Sequence, residues 1–138
     1  MKRILSSMVL CAAVVSACTG EANNYKTLKF GAKGYPHEGS VFEITTEIGS
    51  SGFAYWCAGA EYARRFLGAG WTTRFYVVRG LGPGEISGRR SSVLFTLDPA
   101  GLPTQSGVIR RPNAFNVGAS MSVQAADSEC NPFGDSGW

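Results

Sequence analysis

Phe53-Ala54-Tyr55-Trp56-Cys57-Ala58-Gly59-Ala60-Glu61-Tyr62-Ala63-Arg64-Arg65-Phe66-Leu67 is the stretch that decides the fold. Phe53, Trp56, Cys57, Ala60, Ala63 and Leu67 recur at spacings of three and four, which puts them on one face of a helix. Tyr55, Gly59, Tyr62 and Phe66 make a second apolar stripe beside it. Together the stripes are wider than a surface helix needs. A helix over about 52–67 is therefore expected to lie against another layer. Ser50 or Ser51 is placed to cap its first turn, and Gly68 to end it in a left-handed conformation. Gly59 costs about 1 kcal/mol against alanine in mid-helix, so it is expected beneath a strand. Glu61 and Arg65 stand at i and i+4 on the remaining side and read as an exposed pair worth a few tenths of a kcal/mol.

Working outward, Val41–Ile48 alternates. Phe42, Ile44, Thr46 and Ile48 face one way and Glu43, Thr45 and Glu47 the other, the pattern of a half-buried strand. In Trp71–Arg79, Phe75 and Val77 oppose Tyr76 and Val78, so this strand is expected to be central and covered on both faces. Ser91–Leu97 carries Val93, Phe95 and Leu97 on one side, and Val117–Ala125 alternates throughout. Tyr25–Phe30 reads as a short strand and Gly31–Gly39 as a turn region around Pro36 and His37. Ala100–Asn116 is loop-like, with a candidate short strand at Val108-Ile109, and the tail from Asp127 is irregular. One helix with so wide an apolar face needs a sheet to cover it. The expected fold is α+β in two layers: one central helix packed on a mainly antiparallel sheet of four to five strands, as a single domain over 25–138.

Met1–Ala17 stands apart from that domain. Lys2 and Arg3 precede the apolar run Ile4–Val15, which is too short to span a bilayer and reads as a secretory signal. Val15-Ser16-Ala17-Cys18 then resembles the lipobox of bacterial lipoproteins, with Val15 where the family more often has leucine. The resemblance implies that Cys18 is acylated, that 18–24 is a tether, and that a lipid anchor holds the chain to a membrane. Thr19, by the same resemblance, implies the outer membrane rather than the inner. The alternative is an ordinary cleavage site and a soluble periplasmic or secreted protein. Cysteine parity bears on this choice. Cys11 leaves with the signal; with Cys18 acylated, Cys57 and Cys130 remain to pair in an oxidising compartment. Their bridge would close a loop of about 74 residues, worth roughly 4 kcal/mol in the chain-entropy account. Cys57, Cys130 and the single His37 do not make a four-ligand zinc site, so neither metal nor cofactor is expected.

After residue 17 the chain keeps 121 residues, with 11 basic and 10 acidic side chains. A net charge of +1 without a clustered positive face argues against nucleic acid as a partner. The basic residues are eight arginines and three lysines, with doublets at Arg64-Arg65, Arg89-Arg90 and Arg110-Arg111. Arginine suits planar anions such as carboxylate and phosphate.

Tyr55-Trp56-Cys57-Ala58-Gly59-Ala60 with Tyr62-Ala63, Gly88-Arg89-Arg90-Ser91 and Leu94-Phe95-Thr96-Leu97-Asp98-Pro99 resembles short exported proteins of marine and soil alphaproteobacteria. The likeness covers about 41–99 and implies a compartment and a shared domain, not a mechanism.

Three stretches invite chemistry. Gly80–Arg90 is glycine-rich, and its backbone N–H groups could cradle an anion. Arg79, Gly82, Gly84, Arg89 and Arg90 are the candidate residues, although the Lys-Ser/Thr ending of a phosphate loop is missing. Glu43 and Glu47 share a strand face and, with His37, are the candidates for a small hydrolase. Gly134-Asp135-Ser136-Gly137 is similar to the nucleophile loop of chymotrypsin-like proteases, but Trp138 replaces the next glycine and the chain is too short for two barrels. No acid, base and nucleophile set is visible. The function expected is a non-enzymatic, lipid-anchored envelope protein of binding or structural type, with another envelope protein as partner. An anion binder and a small hydrolase are the alternatives.

Overall fold

The computed structural model describes residues 24–47, 51–104 and 115–131. Expectations placed on Met1–Ala17, Cys18, Ile48, Ser50, Val108-Ile109, Arg110-Arg111 and Gly134–Trp138 fall outside these residues. The elements are β1 (Lys26–Thr27), β2 (Lys33–Pro36), β3 (Val41–Thr45), α1 (Gly52–Phe66), β4 (Arg74–Gly82), β5 (Ser92–Thr96), β6 (Ser120–Ser122) and α2 (Val123–Ser128). A short 3₁₀ turn at Lys29–Gly31 joins β1 to β2.

The strands form one sheet in the order β1-β2-β3-β5-β4-β6, each neighbour antiparallel to the next. The fold is α+β as expected, but the sheet has six strands rather than four to five. The extra strand is β2, inside the stretch read as a turn region. Gly34 and Pro36 are weak strand formers, and β2 exists because Gly34 leaves room for the Tyr62 ring of α1. A Cβ on Gly34 would lie 2.8 Å from Tyr62 Cε2. The expected strand Tyr25–Phe30 shrinks to β1, because the chain turns at Phe30.

The helix expected over 52–67 is α1 at 52–66. Its N-cap is Ser51, whose side chain makes no capping bond. Gly68 takes a φ of 68° and Ala69 N–H donates to Ala63 O at 2.9 Å, so the helix ends as a left-handed glycine ends one. Phe42, Ile44, Phe75, Val77, Val93 and Phe95 meet α1 from the sheet and are fully buried. Trp56 sits among them, with ring centroids 5.4 Å from Phe75 and 5.0 Å from Phe95. Gly59 lies where it was expected, under the sheet: a Cβ there would be 2.8 Å from Phe75 Cε2. Among the described residues no helix is long and apolar enough to cross a membrane.

Val117–Ala125, read as one strand, divides. Only Ser120–Ser122 pairs with β4, and the chain then turns into α2. The Ser122 hydroxyl accepts Ala125 N–H at 3.1 Å as an N-cap, while Val123 and Ala126 bury against the core. The local cue is a serine cap before Gln124-Ala125-Ala126, which are good helix formers. Alternation masked it because Met121 and Val123 face the core under either reading. α2 packs beside α1 and carries the chain to Cys130, which is bonded to Cys57 (S–S 2.08 Å). The bridge joins the end of α2 to the middle of α1, and Asp127 and Ser128, read as the start of an irregular tail, are the last residues of α2.

Two corrections concern charge. Glu61 is not exposed: only 3% of it reaches solvent. The Lys29–Gly31 turn crosses α1 there, and Glu61 accepts Lys29 N–H at 2.8 Å and Arg65 Nη1–H at 2.7 Å. Glu43 is completely buried although its strand face reads as open. What covers it is the candidate site.

Candidate functional site

Two faces of the sheet meet different covers. The face toward α1 is apolar. On the other face β3 and β5 present Glu43, Thr45, Ser92, Leu94 and Thr96, all buried. The glycine-rich segment between β4 and β5 folds back over Glu43.

Backbone N–H groups make this possible. Ile86 N–H donates to Glu43 Oε2 at 2.9 Å, and Ser87 N–H to Oε1 at 3.2 Å. The Ser87 hydroxyl also donates to Oε1. Three donors compensate the desolvation of a carboxylate that would otherwise be costly to bury. Gly84 N–H closes the foot of the loop on Arg89 O at 2.7 Å. Gly84 has to lack a side chain, since a Cβ would lie 2.5 Å from Glu43 Oε1. The loop is tied at its tip too: Glu85 lies 3.2 Å from His37 Nε2 and 3.8 Å from Arg79 Nε, the second a charge contact beyond hydrogen-bond reach.

Arg79 reaches this face through a bulge. Strict alternation from Phe75 and Val77 would send its side chain into the apolar core. The register slips between Val77 and Arg79, so Arg79 lies opposite Leu94 on the polar side. There Nη2–H donates to Ser92 Oγ at 2.6 Å and Nη1–H to Gly80 O at 2.8 Å and Ser92 O at 3.3 Å. A second slip precedes Gly82, opposite Ser92. β4 thus runs three residues past the strand end expected at Arg79.

The residues singled out for anion binding therefore divide. The loop's N–H groups do hold an anion, and it is the carboxylate of Glu43. Arg79 is committed to Ser92 and the backbone. Arg89 and Arg90 are exposed at the foot of the loop and form no ion pair among the described residues. The hydrolase candidates do not converge either. Both oxygens of Glu43 are engaged, and Glu47 is exposed beside Gly31, at a different turn. His37 is half-buried against Glu85. Among the described residues no cluster of three His, Cys, Asp or Glu could hold a metal ion.

Sequence reasoning named the glycine loop but not its tenant. The cue was Glu43 opposite hydrophobic neighbours on a strand, yet its partner lies 44 residues away and no spacing announces it. No protein-family model matches this chain, no curated protein matches it, and no solved structure matches it.

Proposed function

We propose that the protein is an exported, lipid-anchored domain of the cell envelope that works by binding or as a structural component, with another envelope protein as its partner. The observation that carries this reading is the Cys57–Cys130 bond. Such bonds persist in oxidising compartments, and this pairing leaves Cys18 as the cysteine available for acylation after the Val15-Ser16-Ala17 run. A non-catalytic role is supported by how the buried acids are used. Glu43 and Glu61 are both saturated by N–H and O–H donors of the fold itself. Thr19 after Cys18 favours the outer membrane.

The test replaces Cys18 by serine and compares the chain with the wild type by fractionation and intact mass. The wild type should enter the membrane fraction and carry acyl mass on Cys18, and the variant should do neither. Equal masses and soluble behaviour for both would overturn the anchor.

A second reading has one observation in its favour: a loop built to hold a carboxylate, with Arg89 and Arg90 exposed at its foot. An external anion would have to displace Glu43 from Ile86 and Ser87, so this reading stands second.

A further inference from the structure

At the β1 end of the sheet, the far edge from β6 and α2, the turn Lys29–Gly31 and the last turn of α1 make one exposed edge. Its contacts are continuous. Lys29 N–H reaches Glu61, which holds Arg65. The Arg65 guanidinium lies 5.1 Å from the Phe66 ring centroid, and Lys26 Nζ lies 5.5 Å from the same ring. Phe66 is 37% exposed and Phe30 is 63% exposed.

Phe30 is the unusual member. It is the one non-glycine residue among those described with positive φ (58°), and Gly31 beside it has φ 69°. Paired positive φ values are those of a tight hairpin turn, where asparagine followed by glycine is preferred. An aromatic residue here is unfavourable for the backbone and gains little burial in return. Local strain without a packing benefit points to a use outside the fold.

Charge indicates what this edge meets. Lys26, Lys29 and Arg65 are exposed. Of the acids nearby, Glu61 is buried and bonded, and Glu47 stands at the rim beside Gly31. Cations around exposed aromatic rings suit an anionic lipid surface, where the rings enter the headgroup boundary and the cations stay at the phosphates. Tether length agrees. Thr19–Asn24 reaches at most about 20 Å when extended, while a domain of this size has a radius of gyration of about 14 Å. An anchor on Cys18 therefore keeps β1 and its neighbours close to the bilayer.

We propose that the edge formed by Lys26, Lys29, Phe30, Arg65 and Phe66 lies on the surface of an anionic phospholipid bilayer. This rests on the lipid-anchor reading for its geometry but is tested separately from it.

The three lysines of the mature chain supply the measurement. Lys26 and Lys29 lie on the edge, whereas Lys33 turns away and sits 4.4 Å from the Tyr25 ring centroid. The mature protein, purified from membranes, is placed in phosphatidylcholine bilayers with and without phosphatidylglycerol, and labelling of each lysine by an amine-reactive reagent is timed. Lys26 and Lys29 should be slowed about fivefold or more when phosphatidylglycerol is present, the factor one lysine contributes at an anionic surface. Lys33 should keep its rate. Equal rates for all three lysines in both bilayers would overturn the proposal. So would protection that appears in native membranes but not in lipid alone, since the edge would then meet a protein. Phe30→Asn should weaken the protection without lowering the melting temperature, because asparagine tolerates positive φ. A lower melting temperature with unchanged protection would make Phe30 a purely structural residue. If intact mass shows no acyl group on Cys18, the anchor reading fails on its own. The same labelling, with vesicles added to the soluble mature protein, then decides the edge.

Discussion

The two faces of this sheet are buried by different physics. Under α1, Trp56, Phe75, Phe95 and Phe42 fill the space mainly by shape and aversion to water. Under the β4–β5 loop, the Glu43 carboxylate and Ser92 are buried and Ser87 and Arg79 half-buried, and each needs a donor or acceptor in place. An apolar face tolerates approximate fit, whereas a polar one loses the full desolvation cost of any group left unpaired. The loop-covered face should therefore be the more specific and the less stable of the two.

Three substitutions or conditions test that contrast. The largest effect should come from Trp56→Ala. Emptying the centre of the apolar face should cost about 3–5 kcal/mol. That corresponds to a fall in melting temperature on the order of 10–20 °C, read by calorimetry. A fall of only a few degrees would mean that the helix-covered face is not the main source of stability.

Glu43→Gln should act on the other face alone. A glutamine can accept from one of the loop N–H groups but must point its own NH₂ toward the other, at a cost of roughly 1–3 kcal/mol. Amide hydrogen exchange at Ile86 and Ser87 should quicken while exchange in α1 stays slow, as for a locally opening unit. If both regions quicken together, the two faces form one cooperative unit and the contrast is wrong.

The smallest effect concerns pH. Burial pushes the Tyr62 phenol above its ordinary value of 10.0. The folded state then holds a proton that the unfolded state releases first, so stability is full below pH 10 and is lost as pH rises through the raised value. Urea midpoints measured on either side of pH 10 should show this loss, and Tyr62→Phe should reduce it. An undiminished loss in the variant would place the alkaline weakness elsewhere than the helix-covered face.

The same contrast explains what could be read without coordinates. Helix α1 was visible because its apolar residues are near neighbours in sequence, and a period of 3.6 is a local property. Gly59 beneath the sheet followed from its cost in mid-helix, and the Cys57–Cys130 pair from parity on the reading that Cys18 is acylated. The second helix left only a short cue at Ser122, too weak against an alternation that continued through Val123. The polar face left almost none. Whether Glu43 faces water or is buried depends on Ile86 and Ser87, and whether Glu61 does depends on Lys29, 32 residues away.

The chain by itself thus determined its central helix and the alternating strands β3 and β5, because each follows from local periodicity. Only the tertiary structure decided that a slipped register turns Arg79 out of the core, and that a glycine loop takes its own chain's carboxylate as its anion. It alone placed an exposed phenylalanine in a left-handed turn beside the end of the helix. The physical reason is that a charge or polar group is satisfied by direction and distance, and distant segments supply both only once the chain has folded.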